Sequence, residues 1–170
     1  MTSRFDTTLN QFESYCWIAG GAVLSHLMQT PVKDLDIFFS TEANRQNAAD
    51  RLIRKGGVHI KKRRLGDSIE FEGYVYDLLH KGTTPQETIE CFDYTVCGIA
   101  IDLLGKTYKH PNFDEHFENR KLVYTGGSEK WFTGMPESVN RNIIQARRMA
   151  TYLKKGFSID DENIKKIFKK

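Results

Sequence analysis

Two aspartates that lie two residues apart, Asp34 and Asp36, are the residues of this 170-residue chain that point most directly to chemistry. Asp34 precedes the mainly apolar segment Leu35 to Phe39, and Asp36 lies within it; this segment predicts a β-strand. Side chains two residues apart on a strand project from the same face, so the two carboxylates would stand side by side and repel each other. A divalent cation would relieve this repulsion, and carboxylate oxygens suit Mg²⁺. The alternative is a solvated carboxylate pair on an edge strand near a turn.

A third carboxylate is expected from a neighbouring strand, and Asp77 is the first candidate. It lies in the apolar segment Tyr76 to Leu79, where a lone carboxylate is costly unless it is paired or bound to a metal. Asp102, which ends the apolar segment Ile99 to Asp102, is the competing candidate. The alternative for Asp77 is a strand-end charge that a nearby lysine neutralises.

A pair of glycines, Gly20 and Gly21, precedes the aspartates by about one strand-turn-helix unit. The pair follows the apolar segment Cys16 to Ala19 and precedes a predicted helix, Ala22 to Met28, so it marks a strand-to-helix turn. Glycines at such a turn expose backbone N–H groups, and no side chain blocks the approach of a phosphate. An ordinary tight turn is the alternative for the glycines alone. The aspartates that follow favour the phosphate-binding interpretation.

The elements that must position these residues are predicted to form an α+β domain, with strands early and helices late. Periodicity and turn residues predict helices over 8–15, 22–28, 41–55, 85–91, 113–119, 137–155 and 160–169, and strands over 16–19, 35–39, 58–64, 68–71, 74–80, 94–104 and 122–125. We expect a mixed twisted sheet with flanking helices over residues 1–134. A helical segment, 135–170, is expected to pack on this core.

The clearest predicted helix, Glu137 to Lys155, carries two distinct faces. Its apolar face is made by five residues at helical spacing: Val139, Ile143, Ala146, Ala150 and Leu153. A basic stripe recurs every seven residues on another part of its surface: Arg141, Arg148 and Lys155. Such a stripe suits the phosphates of a nucleotide or nucleic acid, and we expect a cleft between this helix and the carboxylates.

Positive charge is concentrated in two segments, although the formal net charge is only +3. Residues 51–64 hold seven basic residues and no acid, and they include the run Lys61, Lys62, Arg63 and Arg64. Residues 141–170 hold nine basic residues, Arg147 among them, against three acids. Segments of this kind suit the phosphate backbone of a nucleic acid, and the alternative is a solvated face.

Composition excludes several classes of protein. Apolar residues make up 39% of the chain and charged residues 28%, which suits one packed core and argues against a disordered chain. No apolar run approaches the roughly 20 residues of a membrane helix, and the polar N-terminus lacks the apolar segment of a signal peptide. The three cysteines, Cys16, Cys91 and Cys97, lack the paired spacing of a zinc site. We therefore expect a cytoplasmic protein with buried thiols.

The Gly-Gly turn, the helix after it, the Asp-x-Asp strand and a later aspartate together resemble the DNA polymerase beta-like nucleotidyltransferase superfamily. Phe92 to Ala100 resembles the Arg-Asp-Phe-Thr-Ile-Asn-Ala motif of bacterial tRNA CCA-adding enzymes and poly(A) polymerases, and Arg141 to Asp160 is similar to their arginine-rich helix. The resemblance covers residues 15–160. Phe92 stands for the motif's arginine and Cys97 for its asparagine, and the chain is less than half the usual length. It therefore looks closer to short stand-alone members, including phage-encoded ones.

The resemblance implies two-metal transfer of a nucleoside monophosphate from an NTP to an acceptor hydroxyl, foremost on RNA such as a tRNA end. It implies that Asp34, Asp36 and Asp77 hold two Mg²⁺ ions, and that Asp77 helps to take the proton of the hydroxyl. The nucleotide is expected at the Gly20-Gly21 backbone and at Ser25, Lys33, Asp93, Thr95, Arg141 and Arg148. The nucleic acid is expected at Lys61, Lys62, Arg63, Arg64 and Arg147. For Asp93, a helix-end cap is the alternative.

Two other functions fit the same residues. One is a non-catalytic module on the same fold that binds nucleic acid or protein, although the three carboxylates argue against it. The other is a toxin or defence-type transferase that modifies a host tRNA or protein, which shares the chemistry and differs only in its acceptor. A phage-encoded member would act in the host cytoplasm.

Overall fold

A computed structural model describes residues 4–32, 34–63, 66–129 and 140–168 of the chain. Within these ranges the chain forms two compact units. The first contains the residues up to Ile89 together with Ile99–Lys109, and the second contains Glu90–Gly98 and the residues from His110 onward. The aspartates of the Asp-x-Asp pattern and the Gly-Gly turn all belong to the first unit.

The secondary structure alternates strands and helices early in the chain and is helical later. The strands are β1 (Cys16–Ala19), β2 (Asp34–Phe39), β3 (Val58–Arg63), β4 (Gly66–Phe71), β5 (Tyr74–Leu79), β6 (Ile99–Asp102) and β7 (Thr107–Lys109). The helices are α1 (Arg4–Leu9), α2 (Gly21–Leu27), α3 (Glu42–Arg54), α4 (Pro85–Glu90), α5 (Phe113–Glu118), α6 (Arg141–Lys154) and α7 (Asp161–Ile167). None of the described helices is both long and apolar enough to span a membrane.

The described strands form one seven-stranded mixed sheet in the order β3-β4-β5-β2-β1-β6-β7. β2 and β5 are parallel, and the other neighbouring pairs are antiparallel. Parallel strands need a long crossover, which α3 and the β3–β4 hairpin supply here. The predicted α+β class, with a mixed sheet and flanking helices, is confirmed.

Alternate residues of β2 divide the sheet into two faces. Leu35 and Ile37 are 4% and 0% exposed, whereas Asp34 is exposed and Asp36 is half-buried. We call the side of the sheet that carries the two aspartates the carboxylate face. Leu35 and Ile37, which alternate with the aspartates, face the core instead, as the period of two requires.

A buried ion cluster ties α3 to the face of the sheet opposite the carboxylates. Asp67 of β4 is 5% exposed, forms an ion pair with Arg45 of α3, and lies 2.9 Å from Nε2 of His59 through its Oδ1. Arg45 also pairs with Glu42 one helical turn earlier. Burial acts to raise the pKa of Asp67, but the contacts with His59 and Arg45 outweigh it and lower that pKa.

Residues 94–104 do not form the single strand that their β-branched composition predicts. Thr95–Cys97 form a 3₁₀ turn, and only Ile99–Asp102 join the sheet. The N–H of Thr95 donates to the carbonyl of Val123 at 3.1 Å, so this stretch takes its backbone partners within the second unit. The predicted strand at 122–125 is likewise reduced to an isolated bridge, and the first helix lies earlier than expected, at Arg4–Leu9.

The predicted apolar face of α6 is not its buried face. Ile143 and Leu153 are 48% and 40% exposed, whereas Gln145 is fully buried. The inward side of α6 is polar because its partners in the second unit are polar: the side chain of Gln145 donates to Asp93 and to Ser128. Val139, which the prediction placed on the apolar face, lies outside the described residues.

Candidate active site

Asp34 and Asp36 of β2 and Asp77 of β5 lie on the same face of two adjacent strands. Asp36 is the register partner of Asp77 in the parallel β2–β5 pair, and Asp34 lies two residues earlier. Neighbouring strands lie about 5 Å apart, so the carboxylates of Asp36 and Asp77 stand abreast. Asp34 is exposed, Asp36 is half-buried and Asp77 is 7% exposed. The backbone thus places the three predicted carboxylates at neighbouring positions on one face of the sheet.

Ser68 of β4 contacts Asp77 from the side away from Asp36. The two residues are register partners, Ser68 is 3% exposed, and its hydroxyl donates a hydrogen bond to Oδ1 of Asp77. Hydrogen bonds to an ionised acceptor are stronger than those between neutral groups. The sequence analysis missed Ser68, although the Glu72-Gly73 turn carries the signal, since a two-residue hairpin turn pairs the residues placed symmetrically around it.

The Gly20-Gly21 turn lies at the same end of the sheet. β1 runs antiparallel to β2, and extending their register by one residue brings Ala19 level with Asp36. Gly20 has φ 72° and ψ −132°, a backbone conformation that residues other than glycine rarely adopt. A Cβ atom built on Gly21 would meet nothing within 4 Å. The turn therefore leaves open backbone beside the carboxylates, as the approach of a phosphate requires.

Ser25 and Lys33 are the other two residues that the sequence predicts to contact the nucleotide near this turn. Ser25 lies in α2, is 5% exposed, and accepts a hydrogen bond at its carbonyl from the N–H of Thr30 at 2.9 Å. Lys33 lies outside the described residues.

The chemistry of the three aspartates fits a hard divalent cation, because each offers carboxylate oxygens. Within the described ranges, no group of three Asp, Glu, His or Cys side chains is gathered closely enough to hold a metal ion. Binding of a cation would therefore require the three carboxylates to rotate towards each other from their neighbouring strand positions.

Asp102, the competing third carboxylate, has a different environment. It lies on β6 and pairs in register with Trp17 of β1, so two strands, β1 and β2, separate it from β5. Its carboxylate accepts hydrogen bonds from the hydroxyls of Tyr15 at 2.9 Å and Tyr108 at 3.0 Å, and from two backbone N–H groups of the β6–β7 turn. Burial acts to raise the pKa of Asp102, but these bonds lower it. Asp77, and not Asp102, therefore lies abreast of Asp36.

The remaining predicted nucleotide contacts, and the predicted nucleic-acid contact Arg147, lie in the second unit, where the nucleotide contacts form ion pairs or hydrogen bonds with other residues of that unit. Asp93, 4% exposed, forms an ion pair with Arg148 and accepts from Nε2 of Gln145 at 3.1 Å. Thr95 Oγ1 lies 2.8 Å from Nδ1 of His116. Arg141 pairs with Glu129 and donates to the hydroxyl of Tyr124, and Arg147 is exposed.

The basic run of β3 is divided between the two faces of the sheet. Lys61 pairs in register with Ser68, which places it on the carboxylate face, whereas Lys62 pairs with Asp67 on the opposite face. Both lysines are exposed. Arg64 lies outside the described residues, and so does the side chain of Arg63.

A family model described as Gad2, Gabija anti-defense 2 family protein, matches residues 1–120. No curated protein matches the chain. The solved structures that it resembles include the Bacillus stearothermophilus CCA-adding enzyme in complex with CTP, with a TM-score of 0.67 and 18% identity over 98% of this chain and 43% of that one. The Thermotoga maritima CCA-adding enzyme complexed with tRNA gives a TM-score of 0.65 and 18% identity over 90% and 36% of the two chains.

A tRNA nucleotidyltransferase complexed with a primer tRNA and an incoming ATP analogue gives a TM-score of 0.67 and 14% identity over 95% of this chain and 48% of that one. The chain thus has the nucleotidyltransferase fold and spans less than half the length of each of these three structures. The resemblance inferred from the motifs is confirmed at the level of the fold.

Proposed function

The chain belongs to the Gabija anti-defense 2 family, and we propose that it is a metal-dependent nucleotidyltransferase. It moves a nucleoside monophosphate from an NTP to a hydroxyl of an RNA acceptor such as a tRNA end. The observation that carries the proposal is the β2–β5 register, in which Asp36 lies beside Asp77 with Asp34 two residues away. The fold shared with CCA-adding enzymes supports this class of reaction.

Asp34, Asp36 and Asp77 would hold two Mg²⁺ ions, which when bound neutralise phosphate charge and lower the pKa of a hydroxyl. The chain itself orients these carboxylates through the pairing of β2 with β5 and through the hydrogen bond from Ser68 to Asp77. The Gly20-Gly21 backbone receives the β- and γ-phosphates, because Gly21 leaves open space there. Lys33, next to Asp34 in the sequence, adds positive charge for the same phosphates.

The transfer itself is an in-line displacement at the α-phosphorus of the NTP. The acceptor oxygen forms a bond to this phosphorus, the bond from the phosphorus to the oxygen that bridges it to the β-phosphate breaks, and pyrophosphate leaves. The proton of the hydroxyl passes to the carboxylate of Asp77 and then to solvent. Positioning and electrostatic stabilisation account for most of the rate in reactions of this kind.

The experiment is to incubate the protein with each α-labelled NTP, Mg²⁺ and bulk tRNA. We expect label on the RNA with the wild-type protein and none with Asp36→Asn. Asp50→Asn is the matched control, because Asp50 is an exposed carboxylate on α3, outside the carboxylate face. Full transfer by Asp36→Asn would contradict the proposal.

The family description names a role against the Gabija defence and specifies no acceptor, so a protein acceptor is tested beside RNA. Adding an extract that contains the defence proteins to the same incubation distinguishes an RNA acceptor from a protein acceptor. Label on a protein band would support nucleotidyl transfer and would identify a protein as the acceptor. A folded protein that binds RNA and transfers no label to any acceptor would instead be the non-catalytic binding module.

A further inference from the structure

We propose that Lys61 binds a backbone phosphate of a single-stranded RNA acceptor, upstream of the hydroxyl that reacts at the carboxylates. This inference rests on the proposed function and adds to it the path by which the acceptor reaches the site. Three features of the first unit carry it: a bulge in β3, the order of residues across the sheet, and the exposed cation at the end of that order.

The bulge decides which lysine faces the carboxylates. His59 pairs with Ile69 of β4, and the register then shifts, so that Lys61 pairs with Ser68. In an unbroken antiparallel ladder Ile60 would face Ser68, and Lys61 would turn to the opposite side of the sheet. Bulges commonly re-aim side chains beside active sites. Here the extra residue brings a cation, rather than an isoleucine, to the carboxylate face.

Four residues follow one another across the sheet at one level of that face: Asp36, Asp77, Ser68 and Lys61. They occupy four consecutive strands of the sheet, so the backbone of Lys61 lies about 14 Å from the backbone of Asp36, a distance of three strand spacings. The Gly20-Gly21 turn lies on the other side of Asp36, next to β1. The phosphates of the NTP and the cation on β3 therefore lie on opposite sides of the carboxylates, and the acceptor chain approaches from the side of β3.

The charge of its own strand suits Lys61 to a phosphate backbone. Lys61 is exposed on an edge strand, and residues 51–64 contain no acid, although the exposed Glu70 of the adjacent β4 lies on the same face, two residues from Ser68. An exposed ammonium that meets a phosphate releases a counterion, which makes the binding depend on salt. Lysines on an edge strand also prevent aggregation between edges, but that role would be served equally by Lys61 and Lys62.

Lys62 therefore provides a matched control, because it adjoins Lys61, is also exposed and lies on the opposite face. The probe is a short, fluorescently labelled single-stranded RNA with a free 3′ hydroxyl, bound to the full chain at several salt concentrations. We expect Lys61→Ala to weaken binding by roughly 1.5-fold to fivefold, the effect of one exposed ion pair. The slope of log affinity against log salt should fall by about 0.7. Lys62→Ala should leave both quantities unchanged, and Lys61→Arg should restore the affinity.

Equal effects of Lys61→Ala and Lys62→Ala would overturn the inference, because the binding would then depend on net charge and not on the face. Absence of RNA binding by the wild-type protein would overturn it as well. Binding is measured without transfer, so a protein that binds RNA through Lys61 but transfers no label refutes the proposed function alone. A protein that transfers label and ignores Lys61→Ala refutes this inference alone. Unchanged melting temperatures show that both variants fold.

Discussion

Replacement of Asp36 by asparagine is expected to stabilise the metal-free protein and to remove its stabilisation by Mg²⁺. Asp36 and Asp77 are register partners on adjacent strands, and like charges in such positions destabilise a sheet by roughly 0.2–1 kcal/mol. The asparagine keeps the shape of the side chain and removes one charge. For a chain of this size, the gain corresponds to a rise in Tm of up to about 4 °C.

Mg²⁺ is expected to act differently on the two proteins. A ligand that binds only the folded state, present at a hundred times its Kd, stabilises that state by about 2.7 kcal/mol. This free energy corresponds to a rise in Tm of about 5–11 °C for the wild-type protein. Asp36→Asn loses a central carboxylate of the site, so its Tm should rise far less on addition of Mg²⁺.

The assay is differential scanning calorimetry of each protein with and without Mg²⁺, at constant ionic strength. Asp50→Asn serves as the control, and its Tm should respond to Mg²⁺ as the wild-type Tm does. An equal Mg²⁺ shift in Asp36→Asn and wild type would refute the assignment of Asp36 to a metal site. A lower metal-free Tm in Asp36→Asn would refute the argument from repulsion.

Three further predictions concern the surroundings of the site. Ser68→Ala should lower the free energy of unfolding by about 1.5–3 kcal/mol, because a buried hydrogen bond to the Asp77 carboxylate is lost. It should also weaken Mg²⁺ binding measured by calorimetry. A double-mutant cycle of Ser68→Ala with Asp77→Asn that gives no coupling energy would contradict this prediction. Gly20→Ala should destabilise the fold by about 1–3 kcal/mol in urea unfolding, since φ 72° and ψ −132° strain a residue with a Cβ, and an unchanged midpoint argues against it. The pKa of Asp67 is lowered in the folded state, so its contribution to the free energy of unfolding is complete above about pH 4, near its ordinary pKa, and is lost as pH falls through the lowered value. Asp67→Asn should therefore flatten the acid limb of a curve of stability against pH. An unaltered acid limb would show that the ion cluster of Asp67 with Arg45 and His59 contributes nothing to stability.

The first unit was largely predictable because its information is local. The alternation of Asp34 and Asp36 with buried Leu35 and Ile37 follows from the period of a strand. The β4–β5 hairpin follows from one turn, whose position sets every pair along it, including Ser68 with Asp77. The parallel pairing of β2 with β5 joins residues about 40 positions apart, so no local pattern could reveal it. Asp77 was a candidate because a lone carboxylate in an apolar strand is costly, and the resemblance agreed with that choice.

The second unit was harder to predict because its contacts are polar and distant in sequence. Helical spacing predicted that the apolar side of α6 would be buried, but Ile143 and Leu153 are exposed, and the buried side chain is Gln145, which bonds to Asp93 and Ser128. The bulge in β3 was also beyond prediction, since an extra residue leaves no mark on composition, yet it decides which lysine shares a face with the carboxylates.

The most direct test of the central claim is a paired labelling experiment with the same NTP, labelled either at the α- or at the γ-phosphorus. Attack at the α-phosphorus predicts that the α-label enters the RNA acceptor and that the γ-label leaves as pyrophosphate, both in a Mg²⁺-dependent manner and neither with Asp36→Asn. Entry of the γ-label into the acceptor, or equal α-label transfer by Asp36→Asn, would contradict the claim that these carboxylates catalyse nucleotidyl transfer.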